Sequence, residues 1–328
     1  MMFNNKKIHI IIASLLALLI ILTGCNSNDK DDSENKDKKA ESKTEESSTE
    51  RVLTDALGND VTIPADPKRI IASYLEDNLV ALGITPVAQW TVNEGASIQE
   101  YLQEYLKDVP TIPHDLPFEV VTSFTPDLII INDAETVEGS KYDQYSKIAP
   151  TYVLEIESNS DWREKLLNIG DIFDKVDEAK QVLEEYEMKA TESKEIIEDS
   201  IGTESAAAIW LVNNNFFIVS ENVSSGAVLY GDLGLATPNV VKEISNTATG
   251  NWSAISLERL AELDADHIFL INSDKGNGAE MLKDPIWGNI PAVKNGNIYE
   301  YGAETSWLYA GPIANTQIID DIVESLTK

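Results

Sequence analysis

Between Val176 and Ile201 the chain runs for about seven helical turns without a glycine or a proline. Apolar residues at Val176, Ala179, Val182, Leu183, Tyr186, Ala190, Ile196 and Ile197 keep helical spacing among Glu and Lys, which predicts a solvated rod with a narrow apolar stripe. The stripe holds no strict heptad, so a coiled-coil seam is disfavoured. On either side of the rod, short apolar strands alternate with short helical stretches, the pattern of a mostly parallel sheet covered by helices. One long helix between two such units predicts an α/β protein. Its two αβ lobes, with mostly parallel sheets, are joined by a single rigid helix.

In the first unit, Val52-Leu53-Thr54 and Val61-Thr62-Ile63 form a hairpin pattern around Leu57-Gly58-Asn59-Asp60, ended by Pro64 and Pro67. Strands are expected at 69–73, 86–90, 127–131 and 152–156, and helices at 76–82, 98–106, 118–124 and 142–147. In the second unit, 206–212 and 216–219 pair as strands around Asn213–Asn215. Further strands fall at 267–271 and 298–301, with helices at 227–233, 257–263 and 312–326, the last opened by Pro312. The expected boundaries are a first lobe over 51–165, a connector over 166–202 and a second lobe over 203–328.

The N-terminal segment is of another kind. Lys6 and Lys7 precede an apolar run from Ile8 to Leu22, short for a membrane span and suited to a secretory signal. Leu22-Thr23-Gly24-Cys25 closes it, and Asn26 to Glu50 holds almost no apolar residue, which predicts a disordered tether. The pattern at Cys25 resembles the bacterial lipobox, whose cysteine is diacylated and becomes the new N-terminus. That resemblance implies a signal peptide over 1–24, a lipid on Cys25 and a mature domain anchored on the outer side of the cell membrane. Cys25 is the single cysteine, so no intramolecular disulfide is expected. A formal charge of −31 argues against nucleic acid as a partner and against electrostatic adhesion to anionic lipid.

Catalytic and metal-binding patterns are missing from the sequence. Of the three histidines, His9 lies in the signal, His114 in a Pro113-His114-Asp115 loop, and His267 at the head of an apolar strand, where a hydrogen-bonded structural role is expected. There is no His-x-His or His-Glu-x-x-His spacing, no Gly-x-Ser-x-Gly elbow and no phosphate-binding loop. Neither an enzyme nor an intrinsic cofactor is indicated. The aromatic residues carry the positive signal. Tyr74 and Trp90 end strands, Trp210 lies on the first strand of the second unit, Trp252 in a loop before a helix, and Trp307 with Tyr309 ahead of the last helix. Carboxyl ends of parallel strands line binding crevices, where Tyr and Trp supply apolar walls and donors. Trp162 and Trp287 are expected in the core, and Trp210 and Trp252 suit core and cleft equally.

Leu79 to Val87, Phe118-Glu119 running into Pro126-Asp127-Leu128-Ile129-Ile130, and Lys147 to Thr151 resemble the iron-siderophore substrate-binding proteins of ABC importers. So do Leu229 to Leu235, Ile255-Ser256-Leu257-Glu258, Ile286 to Ile290 and Ala292 to Gly296, in the family's order. The nearest likeness is to Gram-positive lipoproteins that bind ferric hydroxamates. The resemblance implies two rigid lobes with little closure, a monomer, and a permease served by a cytoplasmic ATPase. It also implies that Glu119 and Glu258, one per lobe, dock onto permease arginines. The four arginines, Arg51, Arg69, Arg163 and Arg259, fall at no strand end that faces the expected cleft, which favours a near-neutral ferric trihydroxamate over an anionic chelate. The siderophore would fill the iron's coordination shell, so no protein metal ligand is expected. Alternatives are a haem or cobalamin carrier of the same fold, with Tyr74, Tyr230 or Tyr309 as axial ligand, or a surface lipoprotein outside transport.

Overall fold

Two sheets of unequal size flank the long helix. The computed structural model describes residues 49–155, 161–275 and 279–328; the signal, Cys25 and the tether up to residue 48 lie outside the described residues. In chain order the first part comprises β1 (Arg51–Thr54), β2 (Asp60–Ile63), β3 (Ile70–Ile71), α1 (Glu76–Ala81), β4 (Gln89–Thr91), α2 (Gln103–Leu106), β5 (Thr111–Pro113), α3 (Phe118–Ser123), β6 (Leu128–Asp133), α4 (Lys141–Tyr145) and β7 (Thr151–Glu155). Then come α5 (Trp162–Ile172) and α6 (Val176–Ile201). The second part has β8 (Ala206–Val212), β9 (Asn215–Val219), α7 (Ser224–Gly226), α8 (Asn239–Ser245), β10 (Trp252–Ile255), α9 (Leu257–Leu260) and β11 (His267–Asn272). It ends with α10 (Pro285–Asn289), α11 (Pro291–Asn295), β12 (Ile298–Gly302) and α12 (Pro312–Leu326).

The first sheet is parallel, in the order β3-β6-β7, with a separate parallel pair β4-β5 and the antiparallel hairpin β1-β2. β6 sits in the middle, and its Leu128 to Ile131 are buried because helices cover both faces. The second sheet has the order β10-β9-β8-β11-β12, with β9 alone running against its neighbours. Two αβ lobes with mostly parallel sheets, joined by the long helix as the alternating pattern predicts, are thus present. The connecting helix α6 has the predicted bounds and buries Ala179, Tyr186, Ala190, Ser193 and Ile197, whereas Ile196 is 47% exposed.

Weaker patterns fare differently. The strand expected over 69–73 is only Ile70–Ile71, and the helix expected over 98–106 is a tight turn, Glu100–Leu102, running into α2. The stretch expected as an ordinary helix at 227–233 is a wide, π-type helix over Ala227–Asp232. The boundary expected at 165 falls inside α5. Gly170 sits where α5 meets α6, and a Cβ there would lie 2.9 Å from that of Ala179, so the tight turn between these helices requires glycine.

Among the described residues, three apolar cores hold the fold. Two are local, one beneath each sheet's outer face. The third is continuous across both parts: it joins Ile70, Leu79 and Leu128 to Tyr186 and Ala190 of α6, Phe269 and Trp307 of the second part, and Ile318 and Ile319 of α12. The described residues accordingly form one compact unit. No helix among the described residues is long and apolar enough to cross a membrane.

Candidate ligand cleft

Buried Ala72 and Ser73 follow β3, and the chain then turns through Tyr74, whose φ of 65° is left-handed and which is 47% exposed. That turn presents the Tyr74 ring 5.1 Å from the ring of Trp90, which β4 holds. Tyr309, beyond β12, reaches over from the second lobe to lie 6.3 Å from Tyr74 and 5.1 Å from Tyr101. Its hydroxyl is 3.4 Å from Ile98 O. Four rings from both lobes therefore meet at the carboxyl end of the first lobe's strands, where parallel αβ units place ligands.

Two carboxyls lie beneath the rings. Glu76 is fully buried, and its Oε1 accepts the Trp90 N–H at 2.6 Å. Burial pushes its carboxyl up to about 7, against the pull of backbone N–H groups. Asp77 accepts the backbone N–H groups of Ile313 and Ala314, each at 2.9 Å, and the Tyr101 hydroxyl, also at 2.9 Å. A side chain of α1 thus caps α12 across the two lobes. Burial again dominates and raises Asp77 to about 6. Gly311 permits this approach, since a Cβ there would stand 2.5 Å from Asp77 Cγ.

Space opens beside the rings. A recess of about 180 Å³ is lined by Ser73, Tyr74, Trp90, His114 and Asp133 among others. A larger one, about 840 Å³, is lined by Thr91 to Gly95, Thr111, Pro113, His114 and Asp115, so His114 borders both.

On the second lobe, Trp210 lies 5.3 Å from Phe217 and 6.1 Å from Trp252, and its Nε1 donates to Ser273 Oγ at 2.9 Å. Both tryptophans are half-buried on the face of the sheet that adjoins the shared core. Trp252 begins β10 rather than lying in a loop, because its backbone pairs with Val219. These rings make no ring contact with the Tyr74 group among the described residues. Trp307 corrects an expectation. It has no exposed surface, stacks on Phe269 at 4.9 Å and donates Nε1 to Asp321 at 2.8 Å, so it is a core residue and not a cleft wall. The segment after β12 folds back over the sheet and buries Trp307 before it delivers Tyr309 to the first lobe. Trp287 and Trp162 are core as expected, against Phe216 and Tyr186.

Glu119 and Glu258 are exposed in the first turns of α3 and α9, and neither has a hydrogen bond or ion pair among the described residues. All four arginines are committed away from the rings. Arg51 meets Asp171 and Asp174, Arg69 the carbonyls of Phe124 and Thr125, and Arg259 both Glu243 and Glu262. Arg163 joins Glu187 at 2.7 Å and Asp232 at 2.8 Å. Tyr230 spends its hydroxyl on Ala206 O at 2.9 Å, so it offers no axial ligand to the cleft. His267 is bonded to Glu204 and Tyr299, and His114 is exposed. Glu76, Asp77 and Tyr101 carry no site signal in the sequence: acidic residues opening a helix are ordinarily solvated, and here Glu76 lies against Trp90 while α12 lies against Asp77.

The family model of the periplasmic binding proteins matches residues 73–305, most of the folded chain. This chain belongs to that family. Among curated relatives of this binding protein, the probable siderophore-binding lipoprotein YfiY of Bacillus subtilis is 27% identical, over 97% of each chain. The iron(3+)-hydroxamate-binding protein FhuD of the same organism is 28% identical, over 96% of this chain and 97% of its own. Among solved structures, the FhuD-fold binding component of a Fep/Fec-like ferrichrome ABC transporter from Bacillus subtilis superposes with a TM-score of 0.71 at 25% identity, covering 84% of this chain and all, 100%, of its own. FhuD2 of Staphylococcus aureus with bound ferrioxamine B shares the fold at a TM-score of 0.67 and 23% identity, covering 79% of this chain and 98% of its own.

Proposed function

We propose that this protein is the lipid-anchored, extracellular solute-binding component of an ABC importer, and that it captures a ferric siderophore of the hydroxamate class for delivery to the permease. The observation that carries this reading is the ring cluster shared between lobes, with Tyr309 set against Tyr74 and Tyr101 and Trp90 behind. Rings of this kind pack on the apolar backbone of a chelate while their hydroxyls meet its oxygens. Trp210 and Trp252 form the second-lobe wall. The commitment of every arginine elsewhere disfavours a multiply charged anion, whose desolvation needs paired cations. The siderophore fills the iron's shell, and no side chain of the protein ligates the metal. The siderophore-binding and hydroxamate-binding relatives span nearly the whole chain and support the same class.

Lipid on Cys25 and the tether hold the carrier within reach of the permease, so that weak contacts at Glu119 and Glu258 suffice for docking. Tryptophan fluorescence, titrated with a panel of ferric siderophores, tests the ligand. Ferric hydroxamates quench at micromolar concentration or below, and Tyr74→Ala with Tyr309→Ala abolishes the effect. If no ferric hydroxamate quenches, the assignment fails, and a Soret band on adding haem replaces it with the haem reading. The double variant Glu119→Ala with Glu258→Ala keeps ligand binding and loses growth on a hydroxamate as sole iron source; unimpaired growth removes the docking role.

A further inference from the structure

We propose that the cleft selects ferric chelates that carry a positive charge, with the carboxylates of Glu94, Asp115 and Asp133 receiving the ligand's cationic group at the first-lobe rim. This deepens the hydroxamate reading above and rests on it.

The walls of the cleft are unequal in charge. Glu94 and Asp115 line the larger recess and Asp133 the smaller, while among the described residues no Lys or Arg lines either and His114 is the only basic side chain in both. Glu94 and Asp115 are exposed and have no hydrogen bond or ion pair among the described residues. Asp133 is held in place: its Oδ1 accepts the Thr136 N–H and hydroxyl, each at 3.1 Å, and its Oδ2 the Asn132 amide at 3.0 Å. An anionic chelate seated here meets the carboxylates of Glu94 and Asp115 with no partner cation; the ammonium nearest to Asp133, that of Lys165, is held by Glu155 at 2.7 Å and by Asn132 Oδ1 at 2.9 Å, and every arginine is tied to other partners.

The rings point to the same ligand charge independently. Tyr74 is tilted 54° to Trp90 and 52° to Tyr309, and it remains 47% exposed, so open ring faces border the recess. The negative face of an aromatic ring attracts a cation and does nothing comparable for an anion. The net charge of −31 adds a field that draws cationic chelates toward the whole surface.

One scaffold in two charge states tests this. Ferrioxamine B bears a free ammonium, and its N-acetyl derivative keeps the same iron-binding groups without that charge. Fluorescence titration at low ionic strength is expected to give a Kd about tenfold lower for the ammonium form, the gap narrowing as salt screens it. Glu94→Gln with Asp115→Asn, both at exposed positions, is expected to shrink the ratio of the two constants. Equal affinities, or tighter binding of the acetylated form, overturn the charge preference and leave the hydroxamate reading standing. Binding of neither complex overturns the hydroxamate reading itself, and this inference with it.

Discussion

Glu76 is the most costly charge in the cleft, because its carboxyl is buried without a cation. Its value of about 7 and the value of about 6 for Asp77 lie above their ordinary 4.5 and 3.8. Between those limits the native protein keeps protons that the unfolded chain has released. The contribution of this pair to stability is therefore greatest below about pH 4, falls as pH rises toward about 7, and is level above that. The unfolding free energy from urea titrations is expected to fall between pH 5 and pH 8 by on the order of 4 kcal/mol, with a lower midpoint, and Glu76→Gln to flatten most of the slope while still accepting the Trp90 N–H. A midpoint that rises over that range would contradict the burial argument. Trp307 and Tyr74 form a second contrast. Trp307→Ala is expected to cost about 3–5 kcal/mol in chemical denaturation, since it opens a cavity and strips Asp321 of its donor. Tyr74→Ala, at a half-exposed ring, is expected to cost less than about 1 kcal/mol while weakening ligand binding far more. The sequence could not separate Trp307 from Tyr309. Both precede the last helix in a polar stretch, and the tight turn over Ser306–Leu308, which sends them to different surroundings, has no signature in residue type.

Elements show which signals survive from sequence to fold. α6 and α12 appear with the predicted bounds, because a periodic stripe repeated over many turns leaves little ambiguity. The hairpin β1-β2 was equally legible from its turn residues. By contrast β3 is two residues long, and β5, β10, α5 and α8 were not foreseen; short segments of this kind are fixed by partners distant in sequence rather than by their own pattern. The same limit applied to the cap of α12. Pro312 signalled where that helix starts, yet its N–H groups at Ile313 and Ala314 are met by a side chain from α1. Asp77→Ala is expected to destabilise the protein by about 2 kcal/mol, counting the lost cap and the unpaired Tyr101 hydroxyl. Hydrogen exchange locates the effect: the amides of Ile313 and Ala314 should lose protection before the rest of α12. Unchanged protection there would show that the cap contributes nothing.

For the whole molecule, the shared core and the polar brace around Arg163 oppose relative motion of the lobes. Arg163 of α5 lies 4.7 Å from the Trp162 ring, pairs with Glu187 of α6, and reaches Asp232 of the second lobe, which also accepts the Tyr186 hydroxyl at 2.6 Å. Swinging one lobe away would expose apolar surface and part these charges together. Small-angle scattering of the free and siderophore-loaded protein should therefore give radii of gyration within about 1 Å of each other, whereas a large contraction would mean that the seam opens. The link from Asp77 to Ala314 spans 237 positions, nearly the length of the folded chain. Such a contact cannot form until the final helix has been made, so the first lobe must persist with its seam unclosed while the remainder is synthesised. A chain that stops short of Pro312 leaves Asp77 and the apolar surface around Leu79 uncovered. Completion of the last helix is thus a checkpoint on assembly, and truncated products should be marked by proteolysis rather than accumulate as half-carriers.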